Sequence, residues 1–368
     1  MSYSWLQPPP GTPKSEIPTP ALVIYLPIME ENLNLMANFF RNRDASLRPH
    51  FKTHKCLEIA QQQMAAGAIG ITCAKLGEAE VLTQAQIPSI LIANEVVDAR
   101  KINHLAALAQ KTQIIVAVDQ AENLQQLSIA AQEVGSELLV LVESNVGMNR
   151  CGVETGTAAL SLARLAIGLP NIRFMGVMGY EGHTITEPDP VQRHANVQQA
   201  MGKLVAVAEE IRGAGIPVEI VSAGGTGTYA MTGAYPGVTE VQAGSYVFMD
   251  THYGQLGLIF KHALSLLATV ISRPSPKRAV IDAGMKALSS DHGLPEVITP
   301  VGAHLLSLHE EDGILELDPL LVNLNIGDQV EILPSHACTT VNLHDRFYMI
   351  RKEVVESTWE IAGRGKSQ

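Results

Sequence analysis

The chain is poor in several things at once, and each shortage closes off a class of function. Charged residues fill 17% of its 368 positions and aromatics 5%, while the hydrophobic share is 46%. Such a chain is neither disordered nor fibrous and can bury a sizeable core. No cationic run is longer than Arg41-Asn-Arg43 or Pro276-Lys-Arg278, and the formal net charge is −11. That balance argues against nucleic acid as a partner, although a few local donors can still hold a small anion. No apolar run approaches bilayer-spanning length, so no membrane partner is expected. The stretch from Met1 to Glu16 carries Pro8-Pro-Pro10 and no apolar segment, so neither a signal peptide nor a transit peptide is expected. Cysteine is scarce too. Cys56, Cys73, Cys151 and Cys338 are scattered, without the density of a disulfide scaffold, as suits a reducing cytoplasm.

What is present is alternation. From residue 21 to residue 250, short β-rich apolar runs alternate with longer stretches of helical period, which predicts parallel strands joined by helices. Strands are expected at 21–25, 46–51, 69–73, 89–93, 113–118, 137–143, 173–178, 218–222 and 238–243, one of them peripheral to a set of eight. Amphipathic helices are expected at 29–40, 121–134, 157–167 and 190–214, closed by Gly, Pro or Asn. A doubly wound open sheet would alternate in the same way; the positions of the polar motifs favour an α/β (β/α)8 barrel. After about residue 255 strand-like runs follow without long helices, at 262–271, 278–281, 302–308, 314–317, 329–333 and 346–351. This half reads as a β domain. The expected division is a barrel over 19–252 and a β domain made of 1–18 and 253–368.

Three motifs carry chemistry. In Arg48-Pro-His-Phe-Lys-Thr-His-Lys55 a strand ends in a polar cluster, where barrel enzymes place catalytic groups. Lys52 falls in phase with His50 and, if the strand continues, with His54. Once deprotonated, a lysine amine condenses with an aldehyde. Ala223-Gly-Gly-Thr-Gly-Thr-Tyr229 follows a strand, and its glycine amides and threonine hydroxyls suit a phosphate. By itself it reads better as a tight turn. Gln242-Ala-Gly-Ser-Tyr246 closes the next strand and offers further donors. In Pro334-Ser-His-Ala-Cys338, His336 and Cys338 stand two apart and face the same way from an extended chain. Imidazole and thiolate suit zinc or a related divalent ion, and two ligands leave positions open for water or substrate.

Together with Thr19-Pro-Ala-Leu22, Gly147-Met-Asn-Arg-Cys-Gly-Val153, Gly179-Tyr-Glu-Gly-His183 and Gln242-Ala-Gly-Ser-Tyr-Val-Phe-Met-Asp250, these motifs span nearly the whole chain in order. In this combination the sequence resembles the D-threonine aldolase and D-serine dehydratase group of fold-type III pyridoxal-phosphate enzymes, relatives of bacterial alanine racemase. The resemblance implies that Lys52 holds pyridoxal 5′-phosphate, that Arg150 lies near its ring and that Tyr180 lies by the site. It makes Gly225, Thr226, Gly227 and Thr228 the phosphate loop, with Gly244, Ser245 and Tyr246 as further cofactor contacts. It also implies a divalent metal (Mn, Zn or Mg) on His336 and residue 338, which is Cys338 here. Lys52, His336 and Tyr180 are the expected catalytic residues.

The implied activity is retro-aldol cleavage of a D-3-hydroxy amino acid to glycine and an aldehyde. Dehydration of D-serine or D-3-hydroxyaspartate to a 2-oxo acid and ammonia uses the same inventory. The thiol at 338 resembles the dehydratase branch, whereas Gly224–Tyr229 and the run from Gln242 to Gly254 resemble the aldolases. Racemization and a non-catalytic cofactor carrier are further alternatives. A cytoplasmic homodimer acting on a small amino acid is implied by analogy. Weaker candidates are Glu181 and His183 for the site, Glu310 and Glu311 for a metal-bound water, and His54, Lys55 and Asp250 near the strand ends.

Overall fold

The computed structural model describes residues 6–185 and 187–368. The chain falls into two compact units, one of residues 36–52, 59–244 and 366–368, the other of the segments ending at Leu35, Thr53–Glu58 and Ser245–Gly365. The first is built on β2 (Ser46–Leu47), β3 (Ile71–Cys73), β4 (Ser89–Ile92), β5 (Gln113–Val118), β6 (Leu138–Glu143), β7 (Ile172–Met178), β8 (Ile220–Ala223) and β9 (Glu240–Val241), with β1 (Ala21–Tyr25) lying outside it. All eight pair in parallel, in the order β2-β9-β8-β7-β6-β5-β4-β3. The ends of that row meet. Ile69 N donates to Leu47 O at 3.0 Å and Thr72 N to Pro49 O at 2.8 Å, and His50 bridges Thr72 in parallel. The sheet therefore closes into the expected barrel.

Strands covered on both faces must be apolar throughout, and all six residues of β6 are buried. Leu91, Ile115, Leu139, Leu141 and Met175 form one cluster across four neighbouring strands. Some of the helices between the strands start on side-chain caps: Asp98 accepts from the amides of Arg100 and Lys101, and Asp189 caps a helix that opens on Pro190. Those oxygens satisfy amides that would otherwise lack partners. Gly135, at φ 69°, ends the helix Ala121–Val134 in a left-handed turn. A buried charge pair lies within the barrel unit: Arg48 Nε meets Glu240 Oε2 at 3.0 Å, both nearly fully buried, and Arg48 also donates to Ser89 Oγ at 3.0 Å.

The second unit is a nine-stranded sheet. Its later strands are β10 (Leu264–Ser275), β11 (Arg278–Ile281), β12 (Glu296–Thr299), β13 (Ala303–Leu308), β14 (Gly313–Leu317), β15 (Gln329–Leu333), β16 (Arg346–Arg351) and β17 (Val354–Glu360). The strand that drops out of the nine barrel candidates is β1, which pairs antiparallel with β10 and parallel with β16 in this sheet. The segment before it lies along β17: Lys14 N donates to Glu353 O at 2.9 Å, and Val355 N to Thr12 O at 2.8 Å. Strands β12 and β17 carry no clear apolar alternation and escape the sequence reading. No helix among the described residues is long and apolar enough to cross a membrane.

Candidate active site

Lys52 stands at the carboxyl end of the β2 segment. The strand does not continue to His54 as the phase argument requires. It ends at the His50 bridge, and Phe51–Thr53 forms a single 3-10 turn in which Lys52 N donates to His50 Nδ1 at 3.3 Å. His54 is buried instead and accepts from Cys56 N at 3.2 Å. The turn leaves the Lys52 side chain exposed. Its Nζ lies 6.0 Å from the centroid of the Tyr180 ring, which sits two residues beyond β7. Glycines give that ring room. A Cβ on Gly182 would fall 2.3 Å from Tyr180 Cε1, and one on Gly225 would fall 3.3 Å from Cε2.

The Gly225 backbone belongs to the loop after β8. Gly224, at φ +81°, turns the chain out of the strand, and Thr226 and Thr228 are both buried. Thr228 does not present its proton to an anion in the way the sequence suggests. Its Oγ1 donates to Glu181 Oε1 at 2.7 Å and accepts from Gly225 N at 3.2 Å, and a hydroxyl has one proton to give. Glu181 also accepts from Gly224 N at 3.1 Å and from Thr232 Oγ1 at 2.5 Å. What the loop can offer a phosphate is therefore mainly backbone. Gly225 is a cradle that any side chain would fill against Tyr180, and this fits a flat phosphorylated cofactor.

Arg150 is exposed and lies beside Glu143. Burial, the neighbouring Glu95 carboxyl and Asp119 push Glu143 up to about 8 against the pull of Arg150. This acidic group at the ends of β4, β5 and β6 went unnoticed in the sequence. A Cβ on Gly147 would lie 2.7 Å from the exposed His183 imidazole. Gly244 closes the barrel unit, Ser245 is buried, and the buried Tyr246 ring packs 5.6 Å from Phe260.

In the β unit, His336 Nδ1 donates to Asp291 Oδ2 at 2.7 Å. The other carboxylate oxygen, Oδ1, accepts from Ser289 Oγ at 2.6 Å and Thr339 Oγ1 at 2.9 Å. Burial works against ionisation of Asp291, but the Ser289 hydroxyl and the His336 imidazole outweigh it and bring the carboxyl down to about 2. The Cys338 thiol also pairs with His336 and lies 3.3 Å from Thr53 Oγ1. Potential ligand atoms of Asp291, His292 and His336 lie within 4.8 Å of one another, and the rings of His252, His292 and His336 follow at centroid spacings of 4.3 and 4.5 Å. Nitrogen and sulfur donors with an orienting carboxylate fit a divalent metal.

Asp291 and His292 escaped the sequence reading, because a lone Asp-His pair in a loop has no spacing that sets it apart. Glu310 and Glu311 do not join the group. Both are exposed, and Glu311 pairs with Lys286. Lys55 donates to Asn342 Oδ1 at 2.7 Å, and Asp250 accepts from the amides of Ala337 and Tyr253, each at 2.9 Å.

The family model for the alanine racemase N-terminal domain matches residues 24–252, and that for a serine dehydratase domain matches 263–350. D-threonine aldolase of Arthrobacter sp. is 39% identical over 98% of this chain and 96% of its own. The chain belongs to the D-threonine aldolase and D-serine dehydratase family of fold-type III pyridoxal-phosphate enzymes. The crystal structure of D-threonine aldolase from Filomicrobium marinum superimposes with a TM-score of 0.94 at 37% identity, covering 98% of this chain and 99% of that one. D-threo-3-hydroxyaspartate dehydratase from Delftia sp. HT23 superimposes with a TM-score of 0.86 at 30% identity, over 95% and 98%. The family's cofactors are pyridoxal 5′-phosphate and a divalent metal.

Proposed function

We propose that the protein is a lyase dependent on pyridoxal 5′-phosphate and a divalent metal that cleaves D-3-hydroxy amino acids to glycine and an aldehyde. The observation that carries this reading is the oriented imidazole of His336 beside the Cys338 thiol, because a donor set of that kind serves chemistry at a substrate hydroxyl. Racemases of this fold need an acid–base residue on each face of the cofactor and no metal. A non-catalytic carrier would have no use for the nine-stranded β unit. The D-threonine aldolases of Arthrobacter and Filomicrobium support cleavage over dehydration.

When bound, the cofactor draws electrons from the α-carbon bond that stands perpendicular to its ring, and a divalent ion acidifies an alcohol that it coordinates. Lys52 is the amine that would hold the cofactor, on a turn that leaves its side chain exposed. Tyr180 would flank the ring. The backbone from Gly225 to Thr228 would hold the phosphate, and Gly244, Ser245 and Tyr246 are cofactor contacts on the family resemblance alone. Arg150 is placed near the ring on the family resemblance alone. His336 and Cys338 would ligate the metal, while Asp291 engages the Nδ1 proton and leaves Nε2 for the ion. The division of labour we propose is 19–252 for the cofactor and 1–18 with 253–368 for the metal. The assembly we propose is a cytoplasmic homodimer, read from the resemblance and from the scattered placing of four cysteines in the sequence.

The thiol at 338 favours a second reading, dehydration of D-serine or D-3-hydroxyaspartate. Incubating the protein with pyridoxal phosphate, Mn2+ and either D-threonine or D-3-hydroxyaspartate separates the two. Glycine in step with an aldehyde is expected. A 2-oxo acid with ammonia as the main product would move the protein to the dehydratases, and inversion of the substrate alone to the racemases.

A further inference from the structure

Glu181 is wholly buried, lies just past β7, and turns both carboxylate oxygens to the segment that follows β8. Three donors converge on it: the Gly224 amide at the loop entrance, the Thr228 hydroxyl at its exit, and Thr232 one helical turn further on. Its own carbonyl is held in place, accepting from Thr184 N at 2.9 Å and Thr184 Oγ1 at 2.8 Å. A buried anion costs several kcal/mol unless hydrogen bonds compensate it, and here the compensation comes largely from the loop. Because charge-assisted bonds are the strong ones, the two ends of the loop are fastened to one rigid point before any ligand arrives. Gln would be the neutral isostere, but it has only one acceptor oxygen. Its NH2 would face either the Gly224 amide, which cannot accept, or hydroxyls that would have to turn round.

We propose that Glu181 is a positioning residue for the cofactor's phosphate, an anchor beneath the loop that holds the Gly225–Thr228 backbone ready to bind the group. It touches neither phosphate nor substrate. The inference rests on the reading of this loop as the phosphate site and adds the residue that sets its shape. By drawing the Thr228 proton inward, Glu181 also leaves recognition of the phosphate to backbone amides between the two ends of the loop, since Gly225 N donates to Thr228 Oγ1 and Thr228 N to Gly225 O.

The test compares pyridoxal phosphate with unphosphorylated pyridoxal, each titrated into apoprotein and followed by absorbance. Glu181→Gln is expected to weaken pyridoxal phosphate about ten- to a hundredfold and to leave pyridoxal within about twofold of wild type. The preference for the phosphorylated form then collapses. Thr232→Val, which removes one bond from outside the loop, should move the same ratio in the same direction by less, and it carries the test if the Gln variant does not fold. Equal weakening of both ligands, or an unchanged ratio in a folded variant, would overturn the proposal and leave Glu181 a packing residue. Wild-type apoprotein that binds neither ligand would overturn the cofactor reading itself, an outcome distinct from either.

Discussion

At the scale of single residues, the lysine and the His-x-Cys pair stood out as candidates because each is a reactive group in a short pattern, whereas Tyr180 came from the family resemblance alone. Their supports did not stand out. Asp291 is separated from His336 by 45 positions, and only folding shows that both of its oxygens are committed. That commitment makes a prediction. A carboxylate that orients a ligating imidazole typically accounts for ten- to a hundredfold in metal affinity, so Asp291→Asn should weaken Mn2+ binding by about that factor in a chelator competition. The cofactor absorbance and the melting temperature should stay near wild type. Unchanged Mn2+ affinity would remove Asp291 from the metal site. The bond from the Thr228 hydroxyl to Glu181 was illegible for a similar reason, since sequence shows which residues can donate but not which acceptor they find.

At the scale of elements, the alternation of apolar runs placed all eight barrel strands, and the ranges 113–118, 278–281, 329–333 and 346–351 match the observed strands to the residue. Two strands were not legible. Glu296–Thr299 is mostly exposed and Val354–Glu360 mixes charge with apolar groups, so neither carries the buried face that periodicity detects. Among the strands that were found, the Arg48–Glu240 pair bears on stability. Glu240 lies on β9 and Arg48 directly follows β2, and the carboxylate's other oxygen has no partner. Removing one member of a buried pair strands the other charge in a dry interior at about 3–5 kcal/mol. Arg48→Ala should therefore lower the unfolding free energy of the apoprotein, read from urea denaturation, by that amount, with a lower midpoint at an unchanged slope. Arg48→Ala with Glu240→Leu should recover part of it. If the double variant is no better than the single, the loss comes from packing and not from charge.

For the whole molecule, the parallel strand-helix alternation was legible from its rhythm and the barrel from the positions of the polar motifs, but the affiliation of β1 was not. An apolar strand reads the same in a parallel barrel as in the middle of another sheet, and its partners Leu264–Ser275 and Arg346–Arg351 lie hundreds of positions away. Stability of the whole also depends on pH through a group that the sequence did not mark. Glu143 keeps its proton in the folded state up to about 8, from an ordinary value of 4.5. A raised carboxyl contributes stability that is complete below the unfolded value and disappears as pH rises through the folded one. Urea midpoints should accordingly fall between about pH 5 and pH 8, and Glu143→Gln should flatten that stretch of the curve. A parallel decline in the variant would assign it to other groups. The seam of the barrel has a further consequence. Leu47 is hydrogen-bonded into the sheet through β9, whose partner residue is Val241, and through Ile69 on the other flank. The turn bearing Lys52 thus takes its place only after the last barrel strand has been made and has returned to the first, a slow, long-range closure. Capture of the cofactor is then a certificate of completed folding, and a nascent or truncated chain lacking that last strand has no lysine in position to present to it.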